Sequence, residues 1–258
     1  MANKTKEKLD GCERVLGCFI GFYSPAMVEI LGLCGFDFVV IDNEHGPFSW
    51  GQIEHMVRAA QLRNLTPIVR TVDHEQGTIL KALDCGAQGV HVPQVSTADQ
   101  TESIVRAAKF PPEGTRGVAW SARSHLYGAG DGAGYLRRHN EESIVVVHVE
   151  TEEAVENIEE IASVPGLDVA YVGPADLSVA LGHASEGPSH SEVRGAADRV
   201  LEACRELGVH IGYHVGGAQQ ARETFAWGAS YVGVGITPVL FAAFKEVVGA
   251  RDASLPHS

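Results

Sequence analysis

The sequence lacks long hydrophobic runs and any excess of basic residues. No apolar stretch approaches the roughly 20 residues that a membrane-spanning helix requires. With 20 Lys and Arg against 33 Asp and Glu in 258 residues, the formal net charge is −13. A field of that sign repels nucleic-acid phosphates and anionic lipids. We therefore expect neither nucleic acid nor a membrane as a partner.

The cysteines form no C-x-x-C pair, and the N-terminal residues carry no apolar run of the kind that a secretory signal contains. An odd number of scattered thiols suits a reducing compartment. Four of the five fall in apolar or glycine-rich segments that are typical of a core. We expect structural thiols in a cytoplasmic protein. The five are Cys12, Cys18, Cys34, Cys85 and Cys204.

The sequence also lacks internal repeats, a composition break and a G-x-G-x-x-G motif after its first predicted strand. Instead, short apolar runs alternate with segments of helical period, eight times along the chain. Continuous apolar strands indicate a parallel sheet covered on both faces, and eight right-handed crossovers favour a closed (β/α)₈ TIM barrel. The alternative is an open doubly wound sheet. We expect one domain over residues 1–258. The predicted strands are Cys18–Tyr23, Phe36–Asp42, Pro67–Val72, Gly89–Val95, Ile144–Glu150, Val169–Val172, His210–Val215 and Tyr231–Val234.

Helices are predicted between these strands, and two of them have candidate N-caps in Ser49 and Ser96. The helical segments are Ala26–Cys34, Trp50–Arg63, Gln76–Cys85, Thr97–Lys109, Gly134–Glu142, Glu152–Ser163, Glu192–Leu207, Ala218–Trp227 and Pro238–Val248.

Titratable side chains follow several predicted strands, at the barrel end where (β/α)₈ enzymes carry their chemistry. Glu150 and Asp176 end neighbouring strands, which lie about 4.8 Å apart. Two carboxylates so close repel, so either one is protonated or a cation lies between them. Two carboxylates completed by water and substrate oxygens would suit Mg²⁺. The strand-end groups are Asp42, Glu44, His45, Arg70, His148, Glu150 and Asp176.

Each of these groups also has an ordinary interpretation. Glu150 and Asp176 could cap the helices that follow them, and the acidic loop after the second strand could be only a hydrogen-bonded loop mouth. Asp84 is interpreted first as a polar helix-end residue, and Arg116 and Arg123 as solvated loop charges.

Six stretches, taken together, carry a resemblance that covers nearly the whole chain. They are FDFVVIDNEHGP (36–47), TPIVR (66–70), LDCGAQGVHVP (83–93), FPPEGTRGV (110–118), VET (149–151) and VGPADL (172–177). The chain resembles the HpcH/HpaI family of divalent-metal-dependent 2-oxo acid aldolases, the class II pyruvate aldolases. The resemblance implies a barrel of the phosphoenolpyruvate/pyruvate type.

The resemblance also implies roles. His45 would be the general base, with Asp84 as its carboxylate partner, and Arg70 would hold the enolate oxygen. Glu150 and Asp176 would bind Mg²⁺, Mn²⁺ or Co²⁺. Backbone groups around Gly173, Pro174 and Ala175 would help to bind the pyruvate carboxylate, and Arg70 and Asp176 would complete the substrate-binding set.

Two positions depart from the family pattern. His148 stands where relatives often have Gln or Met, and His214 lies in a segment that is more apolar in many relatives. Candidate neighbours of the metal shell are Asp42, Glu44, Arg123, His148 and His214.

The expected activity is reversible cleavage of a 4-hydroxy-2-oxo acid to pyruvate and an aldehyde. Alternatives are decarboxylation or condensation on the same scaffold (oxaloacetate-decarboxylase-like, macrophomate-synthase-like or citrate-synthase-like), acyl-CoA lyase chemistry, and a barrel that binds ligands without turnover. No lysine, Lys81 included, lies at a predicted strand end, which argues against imine chemistry. By family analogy we expect a homo-hexamer that is built as a trimer of dimers. The same analogy allows the C-terminal helix to be exchanged between subunits.

Overall fold

The computed structural model describes residues 2–253 and contains a closed barrel of eight parallel strands paired in chain order. The predicted (β/α)₈ barrel is therefore confirmed. That all of residues 1–258 form one domain stays a prediction, because residues 1 and 254–258 lie outside the described residues. The strands are β1 (Val15–Ile20), β2 (Phe38–Asp42), β3 (Thr66–Arg70), β4 (Gly89–Val92), β5 (Ile144–Val149), β6 (Val169–Val172), β7 (His210–Val215) and β8 (Tyr231–Gly235).

Helices connect the strands, and one additional helix precedes β1. Short 3₁₀ turns occupy Arg123–Gly128 and Gly187–Ser189. Within residues 2–253, no helix is both long and apolar enough to span a bilayer. The helices are α1 (Lys4–Asp10), α2 (Pro25–Leu33), α3 (Trp50–Leu62), α4 (Gln76–Asp84), α5 (Ala98–Ala108), α6 (Gly132–Glu142), α7 (Glu152–Glu156), α8 (Ile158–Ala162), α9 (Pro174–Ala180), α10 (Ser191–Leu207), α11 (Ala218–Trp227) and α12 (Ile236–Ala253).

The first strand is displaced from its predicted position. Cys18–Tyr23 was expected, but β1 begins at Val15 because its residues pair with Tyr231 and its successors in β8. After Ile20 the chain leaves the barrel, and Phe22 and Tyr23 are exposed. Hydrophobic character alone therefore placed the strand too far along the chain.

The helix boundaries confirm one predicted cap and correct another. Ser49 caps α3 in a reciprocal capping box with Gln52. Ser96 does not cap α5; its neighbour Thr97 accepts from the backbone N–H of Gln100 instead. The predicted helix over residues 152–163 is two short helices, which meet at Asn157.

Two apolar cores flank the strands, as expected for a sheet covered on both faces. The larger lies between the strands and the surrounding helices, and the smaller fills the barrel interior with inward-pointing side chains such as Phe38, Val40 and Ile68. Leu9 of α1 joins the interior cluster. Helix α1 therefore closes the amino-terminal end of the barrel.

The cysteines are less buried than expected. Cys18, Cys85 and Cys204 lie in the core, but Cys12 and Cys34 are exposed, so three rather than four are core thiols. All five carry free thiols.

Candidate active site

Arg70 lies at the carboxyl end of β3, where Asp42 of β2 holds it in a two-point ion pair. Its Nε and Nη2 donate to the two Asp42 carboxylate oxygens at 2.8 and 2.6 Å. The two side chains face each other because Asp42 and Arg70 are register partners on adjacent strands. Burial lowers the pKa of Arg70, but the hydrogen bonds and the charge of Asp42 outweigh this effect, so the pKa of Arg70 lies above its usual value. The guanidinium is therefore a fixed positive charge.

Glu44 holds the other side of the same guanidinium. Its Oε2 lies 3.0 Å from Arg70 Nη1. Burial raises the pKa of this carboxyl, and the charge of Glu150 raises it further, while Arg70 and His45 lower it. The Glu44 Oε2 atom is buried and accepts no well-aligned hydrogen bond from the described residues. This oxygen can therefore still accept a hydrogen bond or bind a cation.

Glu150 follows β5 and is buried, with 5% of its surface exposed. Its Oε1 accepts from the backbone N–H of Gln94 at 2.7 Å, and its Oε2 lies 3.4 Å from His148 Nδ1. Burial raises the pKa of Glu150, but His148, the Gln94 N–H and the charge of Arg70 together lower it below its usual value. Glu150 is therefore an ionised carboxylate inside the barrel mouth.

Gly173, at the carboxyl end of the next strand, leaves room beside Glu150. A Cβ at this position would lie 2.6 Å from Glu150 Oε2, so a larger residue would force the Glu150 carboxylate to shift. Asp176 lies three residues further, exposed in the first turn of α9. Glu150, Asp176 and Glu44 all offer carboxylate oxygens, which are the ligands that a hard divalent cation prefers. Among residues 2–253, however, these three do not form a group of ligand atoms within 4.8 Å of one another.

His45 projects from the loop after β2, and 65% of its side chain is exposed. Its Nε2 lies 3.8 Å from Glu44 Oε2, and its backbone N–H donates to Asp42. The imidazole therefore lies on the same rim as Arg70 and is open to solvent.

His214 of β7 points inward at the same end. Its Nδ1 lies 3.2 Å from the Tyr171 hydroxyl, and its ring packs edge-on against Phe19. Burial, assisted by the charge of Arg70, lowers the pKa of His214 to about 4. His214 is therefore neutral at physiological pH.

Asp84 and Arg123 lie at the other end of the barrel in this chain. Asp84 ends α4 and forms an ion pair with Arg116 at 2.8 Å. Arg123 donates to the Cys85 carbonyl and to Gln61, and lines a cavity of about 530 Å³ beside the amino ends of β4 and β5. The structure therefore does not bring either residue to His45 or Glu150 within one chain.

Arg116 was expected to be a solvated loop charge, and this expectation is wrong. It is 1% exposed, lies over the Phe110 ring and contacts the His139 imidazole. The ion pair with Asp84 accounts for its burial, because a charged group is tolerated in a core only when paired.

Comparison with known proteins assigns the family. The model of the HpcH/HpaI aldolase/citrate lyase family matches residues 15–243. The chain belongs to this family. It is accordingly an enzyme, a lyase of the aldolase type.

Individual relatives are similar to this HpcH/HpaI family member along almost their entire length. A 2-keto-3-deoxy-L-rhamnonate aldolase from Escherichia coli is 33% identical over 243 residues, covering 94% of this chain and 90% of the relative. A hydroxypyruvate/pyruvate aldolase from Chromohalobacter salexigens is 37% identical over 235 residues, 91% of each chain. The crystal structure of a family protein from Burkholderia cenocepacia J2315 superposes with a TM-score of 0.91 at 32% identity, covering 97% of this chain and 99% of that one.

Sequence reasoning missed several residues that surround the site of this HpcH/HpaI family member. Gln94 presents its N–H to Glu150 from a left-handed backbone conformation (φ 53°), which no motif indicates. His91, Tyr171 and Tyr231 point into the barrel behind His148. The alternation of inward and outward residues along β4, β6 and β8 could have found these three.

Proposed function

We propose that this chain is a class II aldolase that reversibly cleaves a 4-hydroxy-2-oxo acid to pyruvate and an aldehyde. Glu150 and Asp176 would hold the divalent cation, Mg²⁺, Mn²⁺ or Co²⁺. The observation that carries the proposal is the ionised, buried Glu150, close enough to the fixed Arg70 charge for that charge to lower the Glu150 pKa. A buried carboxylate and a guanidinium set side by side suit a substrate with both keto and carboxylate oxygens.

Each residue at this end of the barrel would then have a separate role in the reaction. A bound divalent cation supplies Lewis acidity toward the 2-oxo group. Arg70, held by Asp42 and Glu44, presents positive charge where the enolate oxygen becomes negative, and such preorganised charge contributes strongly to rate. His45 takes the proton from the C4 hydroxyl in cleavage and returns a proton in condensation. Backbone groups around Gly173, Pro174 and Ala175 would help to bind the pyruvate carboxylate, beside the metal ligand Asp176.

The pairing of His45 with Asp84 requires a second copy of the chain. The two residues belong to opposite ends of one barrel, since Asp84 ends α4 while His45 follows β2. In a hexamer of exchanged C-terminal helices, a neighbouring copy could bring its Asp84 to this rim. Residues 241–250 of α12 are all exposed, which supports an assembly that covers this helix.

The test is pyruvate formation from a panel of 4-hydroxy-2-oxo acids, and product mass from pyruvate with a panel of aldehydes. EDTA should abolish activity, and Mg²⁺, Mn²⁺ or Co²⁺ should restore it. His45→Gln should lower kcat by about 10²–10⁴-fold, the range for loss of a general base. His55→Gln, an exposed histidine on α3, is the matched control and should leave kcat unchanged. Activity that survives EDTA, or an imine trapped by borohydride, would overturn the proposal.

A second activity at the same site is favoured by the two departures from the family pattern. His148 and His214 both face the barrel interior near Glu150 and Arg70, and they could favour decarboxylation over aldol cleavage. Oxaloacetate supplied without an aldehyde distinguishes the two. Pyruvate release from oxaloacetate faster than from every hydroxy-oxo acid would favour the decarboxylase.

A further inference from the structure

The interior of the barrel contains a group of polar side chains that the mechanism above does not use. His91, His148, Tyr171 and Tyr231 come from four different strands, and each is at most 2% exposed. Most of the surrounding interior is apolar. Buried polar groups cost free energy unless they are hydrogen-bonded, so the contacts among them decide what the group does.

Three of these side chains connect in series to Glu150. The Tyr231 hydroxyl lies 2.8 Å from His91 Nε2, and His91 Nδ1 lies 2.9 Å from His148 Nε2. His148 Nδ1 then lies 3.4 Å from Glu150 Oε2. Tyr171 is in ring contact with the same side chains, but its hydroxyl bonds to His214 instead.

The direction of the hydrogen bonds follows from counting donors. Complete burial, together with the nearby charge of Arg70, lowers the pKa of His91 well below its usual value, so His91 is neutral with one N–H. If Tyr231 donates to His91, then His91 donates to His148 and His148 donates to Glu150, and every hydrogen has an acceptor.

The reverse direction leaves a donor without an acceptor. If His148 donated to His91, then His91 would donate to the Tyr231 oxygen. The Tyr231 hydroxyl hydrogen would then be buried with no acceptor among residues 2–253. An unsatisfied buried donor costs about 1–3 kcal/mol. The forward direction is therefore the stable one.

We propose that Tyr231 and His91 fix the tautomer of His148, whose Nδ1–H in turn holds Glu150 in the orientation that binds the divalent cation. This inference rests on the proposed function, because it takes Glu150 as a metal ligand. Groups that hydrogen-bond to a metal-binding side chain orient it and tune its affinity. Tyr231, three hydrogen bonds from the carboxylate, is then a positioning residue.

The first measurement is Mn²⁺ affinity, read from the electron paramagnetic resonance signal of free Mn²⁺ in titrations of the full-length protein. Tyr231→Phe removes only the first donor and should weaken Mn²⁺ binding by about tenfold, the low end for loss of such a partner. Tyr171→Phe is the matched control, since it removes an equally buried hydroxyl from the same core but not from the series. It should leave the Mn²⁺ Kd unchanged.

The second measurement reads the tautomer directly. Spectra of ¹⁵N-labelled imidazoles, recorded without metal and with Mg²⁺, should show His148 protonated at Nδ1 and not at Nε2. The His148 signals are assigned by their loss in His148→Gln. In Tyr231→Phe the Nε2-protonated form should gain population, which a merely structural role for Tyr231 would not produce.

Two results would overturn the inference. Equal Mn²⁺ affinity and unchanged His148 signals in Tyr231→Phe would do so, and so would a doubly protonated His148 in the wild-type protein. Glu150→Gln separates this failure from that of the proposed function. If Glu150→Gln loses Mn²⁺ binding while Tyr231→Phe does not, only the positioning role fails; if Glu150→Gln binds Mn²⁺ normally, the assignment of Glu150 as a ligand fails as well.

Discussion

At the scale of single residues, the shape of the Arg70 guanidinium matters as much as its charge. Two of its nitrogens meet both oxygens of Asp42, and a third lies 3.0 Å from Glu44. A lysine ammonium carries the same charge but cannot reproduce this fork. The position of the charge, on which stabilisation of the enolate depends, would be lost.

We therefore expect Arg70→Lys to lower kcat by about 10²-fold, the size of effect seen when one donor of an oxyanion site is removed. Arg63→Lys is the control, because Arg63 also donates two nitrogens to a carboxylate, that of Glu29, but on an exposed surface. Steady-state kinetics of pyruvate release measure both variants. Equal kcat in Arg70→Lys and wild type would contradict the role assigned to Arg70.

The buried His214 should make the unfolding free energy of the protein depend on pH. Its folded-state pKa is about 4, whereas an unfolded histidine titrates near about 6.5. Between these values the unfolded chain binds a proton that the folded chain does not, so stability falls as pH falls through this range. The contribution is up to about 1.4 kcal/mol per pH unit.

Urea unfolding at pH 6.5, 5.5 and 4.5 measures this effect. His214→Gln should reduce the loss of unfolding free energy between these pH values, relative to wild type. His55→Gln replaces an exposed histidine and should leave the pH dependence as it is. If the two variants lose stability equally with falling pH, His214 is not the buried neutral group described here.

Part of the site could be predicted from single residues and part could not. Asp42, Arg70, Glu150 and Asp176 could be predicted at one barrel end because each ends or closely follows an apolar run that the sequence marks as a strand. The supporting contacts of Glu150 depend on the barrel's closure, which brings β4 and β8 behind β5. Such contacts have no local signal.

At the scale of elements, α1 closes the amino-terminal end of the barrel through Asn3. The Asn3 side chain donates to the Gln88 and Glu142 carbonyls at 3.0 and 2.8 Å, and its Oδ1 accepts from the Lys6 N–H as the N-cap of α1. Helix α1 was not predicted from the sequence. Only Thr5 and Leu9 are buried along it, so no apolar stripe marks it.

Replacing Asn3 should therefore destabilise the barrel. Asn3→Ala removes the cap and the two hydrogen bonds to the Gln88 and Glu142 carbonyls, so we expect a loss of about 2 kcal/mol in unfolding free energy. Lys4→Ala, one residue on but exposed, should change it by less than about 0.5 kcal/mol. Urea denaturation measures both, and equal stability of the two variants would contradict the closing role.

Helix α12 carries an apolar face that is exposed among residues 2–251. Phe241, Phe244 and Val248 are more than half exposed and recur at helical spacing. Large exposed apolar patches mark interaction surfaces. This face is where the proposed exchange of C-terminal helices would bury its contacts.

A charge on this face should prevent assembly. We expect Phe244→Glu to lower the molar mass in size-exclusion chromatography with light scattering, toward that of a smaller oligomer or a single chain. Lys245→Glu introduces a glutamate at the next position of the helix and should leave the molar mass of the assembly as in the wild type. An unchanged mass for Phe244→Glu across dilutions would count against assembly through α12.

At the scale of the whole molecule, the barrel separates two kinds of residue. The strand-end charges of β2, β3, β5 and β6 gather at one end, while Asp84, Arg116 and Arg123 lie at the other. The barrel could be predicted because eight buried strands repeat the same pattern. The proposed use of both ends by one site could not be predicted in this way, because it would depend on a second copy that brings its Asp84 to the rim.

The central claim is that Glu150 and Asp176 hold one divalent cation beside Arg70. Within residues 2–253, the group of three closely spaced ligand-type side chains lies elsewhere, at His183, His190 and Glu192. The most direct test is anomalous diffraction at the manganese edge from crystals grown with Mn²⁺ and oxalate. We predict one strong peak per chain between Glu150 and Asp176, with oxalate against it. A peak only at His183, His190 and Glu192, with Glu150 hydrogen-bonded and metal-free, would contradict the account.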